Sequence, residues 1–406
     1  GMVHTRYIRT NEGKEVDPKS LTNSDKEDIT RTLRELGCEP LWIDLSVEKQ
    51  FFDGYCKQVL WPTLHNVLSV YGPIWNRELS LNTRQISIFF DAYRNVNMAF
   101  ANKILSMMSS PSDLLWIHDY HLMLLPRLIR GEIRKRWPSD PRPPAIVFFF
   151  HCAFPTSEIF RVLPQRHELV EGILGADMLG YHSYNHARHF LNTCKRLLGL
   201  KRQSRRGGML AVEHEGRSVG AIIIHVGIDS GYLDYRLSTD EAKYHEKMLR
   251  DKYSNRTILV GLDQCQRLQG IALKLLAFER LLEDCEELHD KVVLVQRCRL
   301  PMQRSKDTEM TRNEVHKLIS RIRDSFGNDV IDYKEALIFP MNERLGIFSA
   351  ADVMISTPVG SEHLNMNPLE FVYCHRADSN RSPGVVVLSE FAMPSEVMNG
   401  AIIVNP

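Results

Sequence analysis

Short apolar runs alternate with amphipathic segments along the chain. Most of the runs are apolar at consecutive positions, which is typical of parallel strands covered on both faces. The segments between them repeat apolar residues at helical spacing. This alternation of strand and helix predicts a doubly wound α/β protein. The predicted strands are residues 40–45, 114–118, 145–151, 221–226, 257–262, 291–296, 353–356 and 384–389, and the clearest predicted helices are residues 51–68, 86–107, 157–174 and 185–198.

The best candidate for a domain boundary lies where Gly227 opens a polar connection after an apolar run. It predicts two α/β domains, residues 1–226 and residues 227–406, that face one cleft. Residues 199–220 are rich in arginine, serine and glycine, so we expect an exposed hairpin or loop on the first domain.

Composition and charge narrow the classes of partner. The 406 residues include 51 basic and 50 acidic residues, for a net charge of +1. Such a balance gives no strong field toward nucleic acid or acidic membranes, and we expect neither as a partner. The 8 cysteines are scattered without a C-x-x-C pair, which is typical of reduced thiols. No apolar run approaches the roughly 20 residues of a membrane helix, so we expect a cytoplasmic chain.

Several common cofactor motifs are missing from the sequence. No G-x-G-x-x-G follows a predicted strand, which disfavours a nicotinamide or flavin enzyme. The sequence also has no P-loop, no zinc-ligand spacing and no G-x-S-x-G motif. These patterns therefore predict neither a cofactor nor a metal.

Polar side chains follow two of the predicted strands. Asp119 lies between His118 and His121 just after one strand, and His151 ends the next. Open α/β sheets bind ligands in the crevice at the carboxyl ends of their strands. Asp119 can accept hydrogen bonds from sugar hydroxyls there, and His151 can orient a substrate hydroxyl. The alternatives are that Asp119 caps the following helix and that the histidines only fill space.

A third polar stretch carries His182, His186 and His189. The first two are four residues apart, a spacing that could bind a metal on one helix face. Because no glutamate or cysteine completes the set, a structural role is the favoured interpretation.

Two loops each join a predicted strand to a helix. Residues 263–270 carry two glutamines and one arginine and end in a glycine. Free N–H groups and the positive end of the helix dipole make such a loop a ready anion site. Residues 357–370 form the second loop, where Glu370, one turn into the helix, could bind a ribose diol. The alternatives are that the first loop is the remnant of a phosphate-binding loop and that the second is an ordinary connection.

Taken together and in this order, several stretches resemble the trehalose-6-phosphate synthase family of glycosyltransferases. They are FFDGYCKQVLWPTLH, LLWIHDYHLMLLPRLIR, FFFHCAFPTSEIFRVLP, GADMLGYHSYNHARHFLNTCKRLLGL, HVGID, GIALKLLAFERLL and NGAIIVNP. The resemblance begins at Phe51 and is nearest to the plant and protist class, which is often fused to a trehalose-phosphate phosphatase domain. The family's first strand and its final crossover helix have no counterpart in these stretches.

The resemblance implies the GT-B fold, with two Rossmann-like domains facing a cleft. It also implies transfer of glucose from UDP-glucose to glucose 6-phosphate, with retention and without a metal or other cofactor. Residues 1–226 would then hold the acceptor, and residues 227–406 would hold the nucleotide sugar. In this resemblance Asp119 contacts the acceptor sugar, His151 contacts the donor glucose and Glu370 holds the ribose of UDP.

The sequence departs from the family pattern around the diphosphate. The family's R-L-D-Y-x-K-G loop carries two cations, and their positions are Gln264 and Gln269 here. In the stretch that matches R-D-G-M-N-L-V-x-x-E, the aspartate that holds the donor sugar is replaced by Glu362. Asn365 and Glu370 keep the residue types of that pattern.

The two lost cations weaken the predicted chemistry. Removing one preorganised charge partner costs about 3–4 kcal/mol, or 10²–10³ in rate. Arg267, or else Arg299 and Arg304, could compensate in part. We therefore predict a catalytically weakened or inactive synthase-like domain with a regulatory or scaffolding role, beside a phosphatase domain or an active synthase subunit. The alternative is an active retaining glycosyltransferase that makes trehalose 6-phosphate in a remodelled donor site.

Overall fold

The structure is a computed structural model. It describes residues 20–66, 82–138, 143–205, 209–225, 227–301, 306–360, 364–376 and 383–406, together with two short strands at residues 8–9 and 15–16.

The strands and helices alternate over most of the chain. The strands are β1 (Ile8–Arg9), β2 (Glu15–Val16), β3 (Leu114–His118), β4 (Ala145–Phe150), β5 (Met178–Tyr181), β6 (Arg202–Ser204), β7 (Leu210–His214), β8 (Arg217–Ile223), β9 (Thr257–Gln264), β10 (Val292–Arg299), β11 (Ile331–Ala336), β12 (Val353–Ser356), β13 (Val385–Ser389) and β14 (Ile402–Val404). The helices are α1 (Asn23–Glu35), α2 (Leu45–Glu48), α3 (Trp61–Leu64), α4 (Thr83–Met107), α5 (Leu125–Arg136), α6 (Ser157–Phe160), α7 (Arg166–Ile173), α8 (Tyr184–Leu198), α9 (Ser230–Ser238), α10 (Asp240–Lys252), α11 (Ile271–Asp284), α12 (Lys306–Phe326), α13 (Met341–Ala350) and α14 (Asn367–Cys374), with a π-helix (Lys49–Leu60) between α2 and α3.

The carboxyl-terminal sheet has the order β11-β10-β9-β12-β13-β14, and its pairs are parallel. This is the 3-2-1-4-5-6 order of a doubly wound fold, which reverses direction between its first and fourth strands. Those strands are β9 and β12. Ligands bind such sheets outside the carboxyl ends of the strands at this point, so the loops after β9 and β12 are the first place to search for a site.

Two layers of apolar side chains cover this sheet. Ile258 and Val260 of β9 pack in one core cluster with Val293 and Val295 of β10. The opposite face packs against α11 and α12 through a second cluster that includes Leu294. Burial on both faces explains why these strands are apolar at consecutive positions.

The other large sheet has the order β3-β4-β5-β8-β7-β6. β4, β5 and β8 pair in parallel, whereas β6, β7 and β8 pair antiparallel. Residues 199–220 were expected to form an exposed hairpin or loop, and they contain antiparallel strands as expected. They are not exposed throughout, since Ala211 and Val212 of β7 are buried.

The chain divides into two compact units. One comprises Gly1–Leu60, Ser80–Ile146 and Glu168–Ala176, and the other comprises Trp61–Leu79, Val147–His167 and Asp177–Pro406. The boundary expected between residues 226 and 227 stays a prediction.

One predicted strand is wrong. Residues 40–44 are not in a strand, and α2 begins at Leu45. The cause is local, because the carboxylate of Asp44 accepts hydrogen bonds from the backbone N–H of Ser46 at 2.8 Å and from its hydroxyl at 2.5 Å. An aspartate that caps a helix start in this way ends extended structure.

Among the helices of the described part of the chain, none is long and apolar enough to span a membrane.

Candidate functional site

The loop between β9 and α11 lies at the switch point of the sheet. After Gln264 it forms a 3₁₀ turn and reaches Gly270, whose φ of 64° lies in the left-handed region. A Cβ at Gly270 would lie 1.8 Å from the carbonyl oxygen of Thr357, so only glycine fits. The hydroxyl of Thr357 donates to the carbonyl of Gly270 at 3.1 Å, and the N–H of Val359 donates to the carbonyl of Leu268 at 2.9 Å. The loops after β9 and β12 are thus joined.

The two glutamines lie at either end of this loop. Gln264 is half-buried at the end of β9, and Gln269 is buried just before the glycine that begins α11. An amide side chain can donate a hydrogen bond to a phosphate, but it brings no charge.

Arg267 lies between the two glutamines and is exposed. Its backbone N–H donates to the carboxylate of Asp307 at 3.4 Å. The residue lines a cavity of about 510 Å³ along α12, which neither Gln264 nor Glu370 lines. This placement gives no support to Arg267 as the substitute cation, so that role stays a prediction.

A buried ion pair lies beneath the loop. The ammonium of Lys274, on α11, donates to the carboxylate of Asp263, on β9, at 2.6 Å, and both side chains are 1% exposed. The side-chain amide of Gln296 donates to the same carboxylate oxygen at 2.8 Å. Lys274 also approaches the amide oxygen of Gln296 at 3.4 Å. Sequence reasoning missed this cluster, although a lysine on the apolar face of an amphipathic helix was a signal for it.

Glu370 lies in the first turn of α14 and is 7% exposed. One carboxylate oxygen accepts from the guanidinium of Arg344 at 2.9 Å, while Oε2 has no hydrogen-bond partner in the described part of the chain. Burial raises the pKa of Glu370, and the charge of Arg344 opposes that shift. A buried carboxylate oxygen without a donor suits a sugar hydroxyl, which agrees with the ribose contact expected for Glu370.

Asn365 shapes the start of α14. Its side-chain oxygen accepts from the backbone N–H of Asn367 at 3.1 Å, and the side chain of Asn367 donates to the carbonyl of Leu262 at 3.2 Å. These bonds tie the start of α14 to β9. Glu362 and Arg304, which were also expected here, lie outside the described residues.

A guanidinium stands beside Gln264. Arg299 is the last residue of β10 and is the parallel register partner of Gln264 on β9. Arg299 is exposed, but partial loss of solvent around its guanidinium lowers its pKa, and the nearby charge of Arg344 lowers it further. Arg299 therefore brings a positive charge next to the position of one lost cation.

Asp119 has a strained backbone. Its φ of 69° and ψ of 171° lie in a region that is essentially restricted to glycine, and such a residue costs about 1–3 kcal/mol. Its side chain makes no capping hydrogen bond to the turn that follows, so the alternative in which Asp119 caps a helix is wrong. Strain of this kind clusters at functional sites.

Two buried residues of α4 hold the turn after Asp119. The hydroxyl of Tyr93 donates to the carbonyl of Tyr120 at 2.7 Å and accepts from the N–H of Met123 at 2.9 Å. The side-chain amide of Asn97 donates to the carbonyl of His121 at 3.1 Å. Because these bonds fix the backbone on the carboxyl side of Asp119, they stabilise its unusual conformation.

His151 follows β4 and is half-buried. Its ring lies 4.8 Å from that of Phe149 and 5.5 Å from that of His182. This packing is compatible with both roles considered for His151, so its contact with a donor sugar stays a prediction.

Comparison with known proteins gives the family. The sequence model of glycosyltransferase family 20 matches residues 4–406. The chain belongs to glycosyltransferase family 20. The match begins well before Phe51, where the stretches that carry the resemblance start.

Proteins of a plant, a fungus and a bacterium are similar to the chain. Alpha,alpha-trehalose-phosphate synthase (UDP-forming) 5 of Arabidopsis thaliana is 34% identical over 403 residues, which are 96% of this chain and 45% of that protein. The chain thus spans about half the length of this curated relative. The trehalose-6-phosphate phosphatase N-terminal domain of Candida albicans superposes with a TM-score of 0.79 at 29% identity, over 95% of this chain and 76% of that one.

A bacterial relative confirms the fold. A UDP-forming alpha,alpha-trehalose-phosphate synthase of Burkholderia xenovorans in complex with glucose-6-phosphate has a TM-score of 0.77 at 24% identity, over 89% of this chain and 75% of that one. The α/β class with a GT-B fold, predicted from the sequence, is therefore confirmed for this member of family 20.

His186 and His189 lie on α8, whereas His182 lies before it, so His182 and His186 do not share a helix face as the metal-binding alternative required. Nδ1 of His189 lies 3.0 Å from the carbonyl oxygen of Phe154, and His182 is 2% exposed. Burial lowers the pKa of His186 to about 4, and the negative charge of Glu396 opposes this shift only in part. Within the residues that the structure describes, no group of three or more histidines, cysteines or carboxylates could hold a metal ion.

The depressed pKa of His186 predicts acid sensitivity. The unfolded chain binds a proton at this residue near its ordinary pKa of 6.5, whereas the folded chain does not until about pH 4. Stability is therefore lost as the pH falls from 6.5 to 4, by at most about 3 kcal/mol. We expect urea unfolding of His186→Gln to show a smaller loss over this range, while substitution of the exposed His225 by glutamine leaves it unchanged. Equal losses in all three proteins would contradict this assignment.

Proposed function

We propose that this chain is a trehalose-6-phosphate synthase-like domain that binds a nucleotide sugar, transfers glucose weakly or not at all, and regulates or scaffolds trehalose synthesis. The observation that carries the proposal is the pair Gln264 and Gln269 at the two ends of the β9–α11 loop. In the family pattern, cations at these positions neutralise the diphosphate.

Several features support retained binding. Gly270 keeps the left-handed conformation that opens α11, and the loops after β9 and β12 remain joined. Glu370 keeps a buried carboxylate, and its Oε2 accepts no hydrogen bond from the residues that the structure describes. These groups can bind a nucleotide before any glucose is transferred, because none of their contacts depends on the charge that develops during transfer.

Weak transfer follows from where charge develops. As the glycosidic bond to the diphosphate breaks, negative charge grows on the leaving group, and fixed cations stabilise it more than neutral amides do. Losing one preorganised partner costs about 10²–10³ in rate. Losing both costs more than losing one, even if the two effects are not additive.

The regulatory part of the proposal draws on the relatives. One relative of the same fold is the N-terminal domain of a trehalose-6-phosphate phosphatase, and the Arabidopsis relative is about twice as long as the matched region. We therefore propose a phosphatase domain or an active synthase subunit as partner. The proposed ligands are UDP-glucose, held by residues 227–406, and glucose 6-phosphate, held by residues 1–226. We propose a cytoplasmic location.

The second candidate is an active retaining glycosyltransferase that forms trehalose 6-phosphate. Arg299 favours it, because its register with Gln264 brings one guanidinium to the edge of the loop. Asp119 and His151 would then contact the acceptor and the donor sugar.

An assay of UDP release separates the two candidates. We expect UDP-glucose to bind in calorimetry, and we expect UDP release with glucose 6-phosphate to stay at the level of an Asp119→Ala variant. Turnover that yields trehalose 6-phosphate and is abolished in Asp119→Ala and His151→Ala would replace the first candidate with the second. Absence of UDP-glucose binding would contradict both.

A further inference from the structure

Arg299 shares a sheet face with Glu370 and Gln264. Side chains along a strand alternate between the two faces. Ile258 and Val260 of β9, with Val293 and Val295 of β10, face the core cluster that also contains residues of α13 and α14. Continuing that alternation to the strand ends places Gln264 and Arg299 on this same face. Helices α13 and α14 carry Arg344 and Glu370 there.

Among the described residues, the guanidinium of Arg299 has no carboxylate as a counter-charge. It makes no hydrogen bond or ion pair with any other residue that the structure describes. The neighbouring cation, Arg344, is already paired with Glu370 at 2.9 Å. An arginine that is close to a second arginine and has no carboxylate of its own is an arrangement that an anion stabilises.

We propose that Arg299 binds the diphosphate of a nucleoside diphosphate and so supplies from β10 the charge that Gln264 lacks on β9. The inference rests on the proposed function, because it names the ligand class and a binding residue of that same site. Its geometry differs from that of the family loop, since the cation comes from the neighbouring strand.

The ligand class follows from two complementary groups around Arg344. Glu370 offers a carboxylate oxygen that needs a hydroxyl donor, and it would repel a phosphate. Arg299 offers an exposed positive charge that an anion can pair with. A ribose linked to a diphosphate satisfies both. In the sheet order, β12 leads toward Glu370 from the switch point at which doubly wound folds bind nucleotides, and β10, which ends at Arg299, lies next to β9 on its other side.

Calorimetry with UDP and with uridine tests the proposal. We expect Arg299→Gln to weaken UDP binding about tenfold or more, which is the scale of losing one charge-assisted hydrogen bond. Uridine binding stays unchanged, because uridine has no diphosphate. Arg299→Lys recovers part of the loss. Arg202→Gln, which removes an exposed arginine from the strand β6 of the other sheet, leaves UDP binding as it is.

The outcomes separate this inference from the proposed function. Equal UDP affinity in the native protein and Arg299→Gln overturns the inference, whatever the turnover. An equal loss of UDP and uridine binding also overturns it, since that pattern indicates a structural effect. Glucose 6-phosphate that binds in an Arg299-dependent manner without UDP binding overturns the nucleotide assignment. Robust glucose transfer together with Arg299-dependent UDP binding overturns only the proposed weak catalysis.

Discussion

Replacing Gln264 with arginine and Gln269 with lysine should raise UDP release from UDP-glucose by about 10²-fold or more, with glucose 6-phosphate present. The reason is that both positions flank the loop at which the diphosphate is expected, and each new cation stabilises charge on the leaving group. UDP-glucose affinity should rise as well, by about tenfold. The reason is that a hydrogen bond from a charged donor contributes about 1 kcal/mol more binding free energy than one from a neutral amide. Calorimetry and a coupled assay of UDP measure the two effects.

A charge placed elsewhere in the same loop provides the control. Gln266 lies between the two positions, and Gln266→Lys adds a cation without restoring either site. We expect it to change affinity and rate much less than the double substitution does. If the double substitution improved neither quantity, or if Gln266→Lys improved both equally, the assignment of Gln264 and Gln269 to the diphosphate would be wrong.

Replacing Lys274 with alanine should lower the free energy of unfolding by about 3–5 kcal/mol. The substitution leaves the carboxylate of Asp263 buried, with Gln296 as its remaining side-chain donor. A buried charge without its counter-ion is costly, whereas the intact pair roughly balances its own desolvation. Urea unfolding monitored by circular dichroism measures the difference.

Two variants make this second prediction specific. Lys135 forms an ion pair with Glu132 in which both side chains are exposed, and Lys135→Ala should cost less than about 1 kcal/mol. Adding Asp263→Asn to a Lys274→Met protein should recover part of the stability, because no charge then remains buried. A loss for Lys274→Ala as small as that for Lys135→Ala would show that the pair is not enclosed in solution.

The loop at residues 263–270 was predictable because it depends on local patterns. A strand that ends in polar residues and leads through glycine to a helix marks residues 263–270 in the sequence, and the structure places that loop at the switch point between β9 and β12. The position of Asp119 directly after a strand was also predictable. Its backbone strain was not, since a φ of 69° results from the hydrogen bonds that Tyr93 and Asn97 make to the following turn.

The strand predicted at residues 40–45 was wrong because a local hydrogen bond was overlooked. An apolar run predicts a strand when only its hydrophobicity is considered, but Asp44 caps the next helix through its own side chain. Short-range hydrogen bonds of this kind compete with extended structure. Such hydrogen bonds can be predicted from the sequence only when the capping residue is given more weight than the apolar run before it.

The sequence by itself determined the α/β class, the family and the replacement of two cations by glutamines, because these depend on residue types and their spacing. Only the tertiary structure decided which charges surround that loop. Arg299 is 35 positions from Gln264 along the chain, yet the parallel register of β9 and β10 makes them neighbours. Lys274 and Asp263 likewise meet only because α11 packs on the sheet. Register and packing are set by the whole core, so a linear pattern cannot report them.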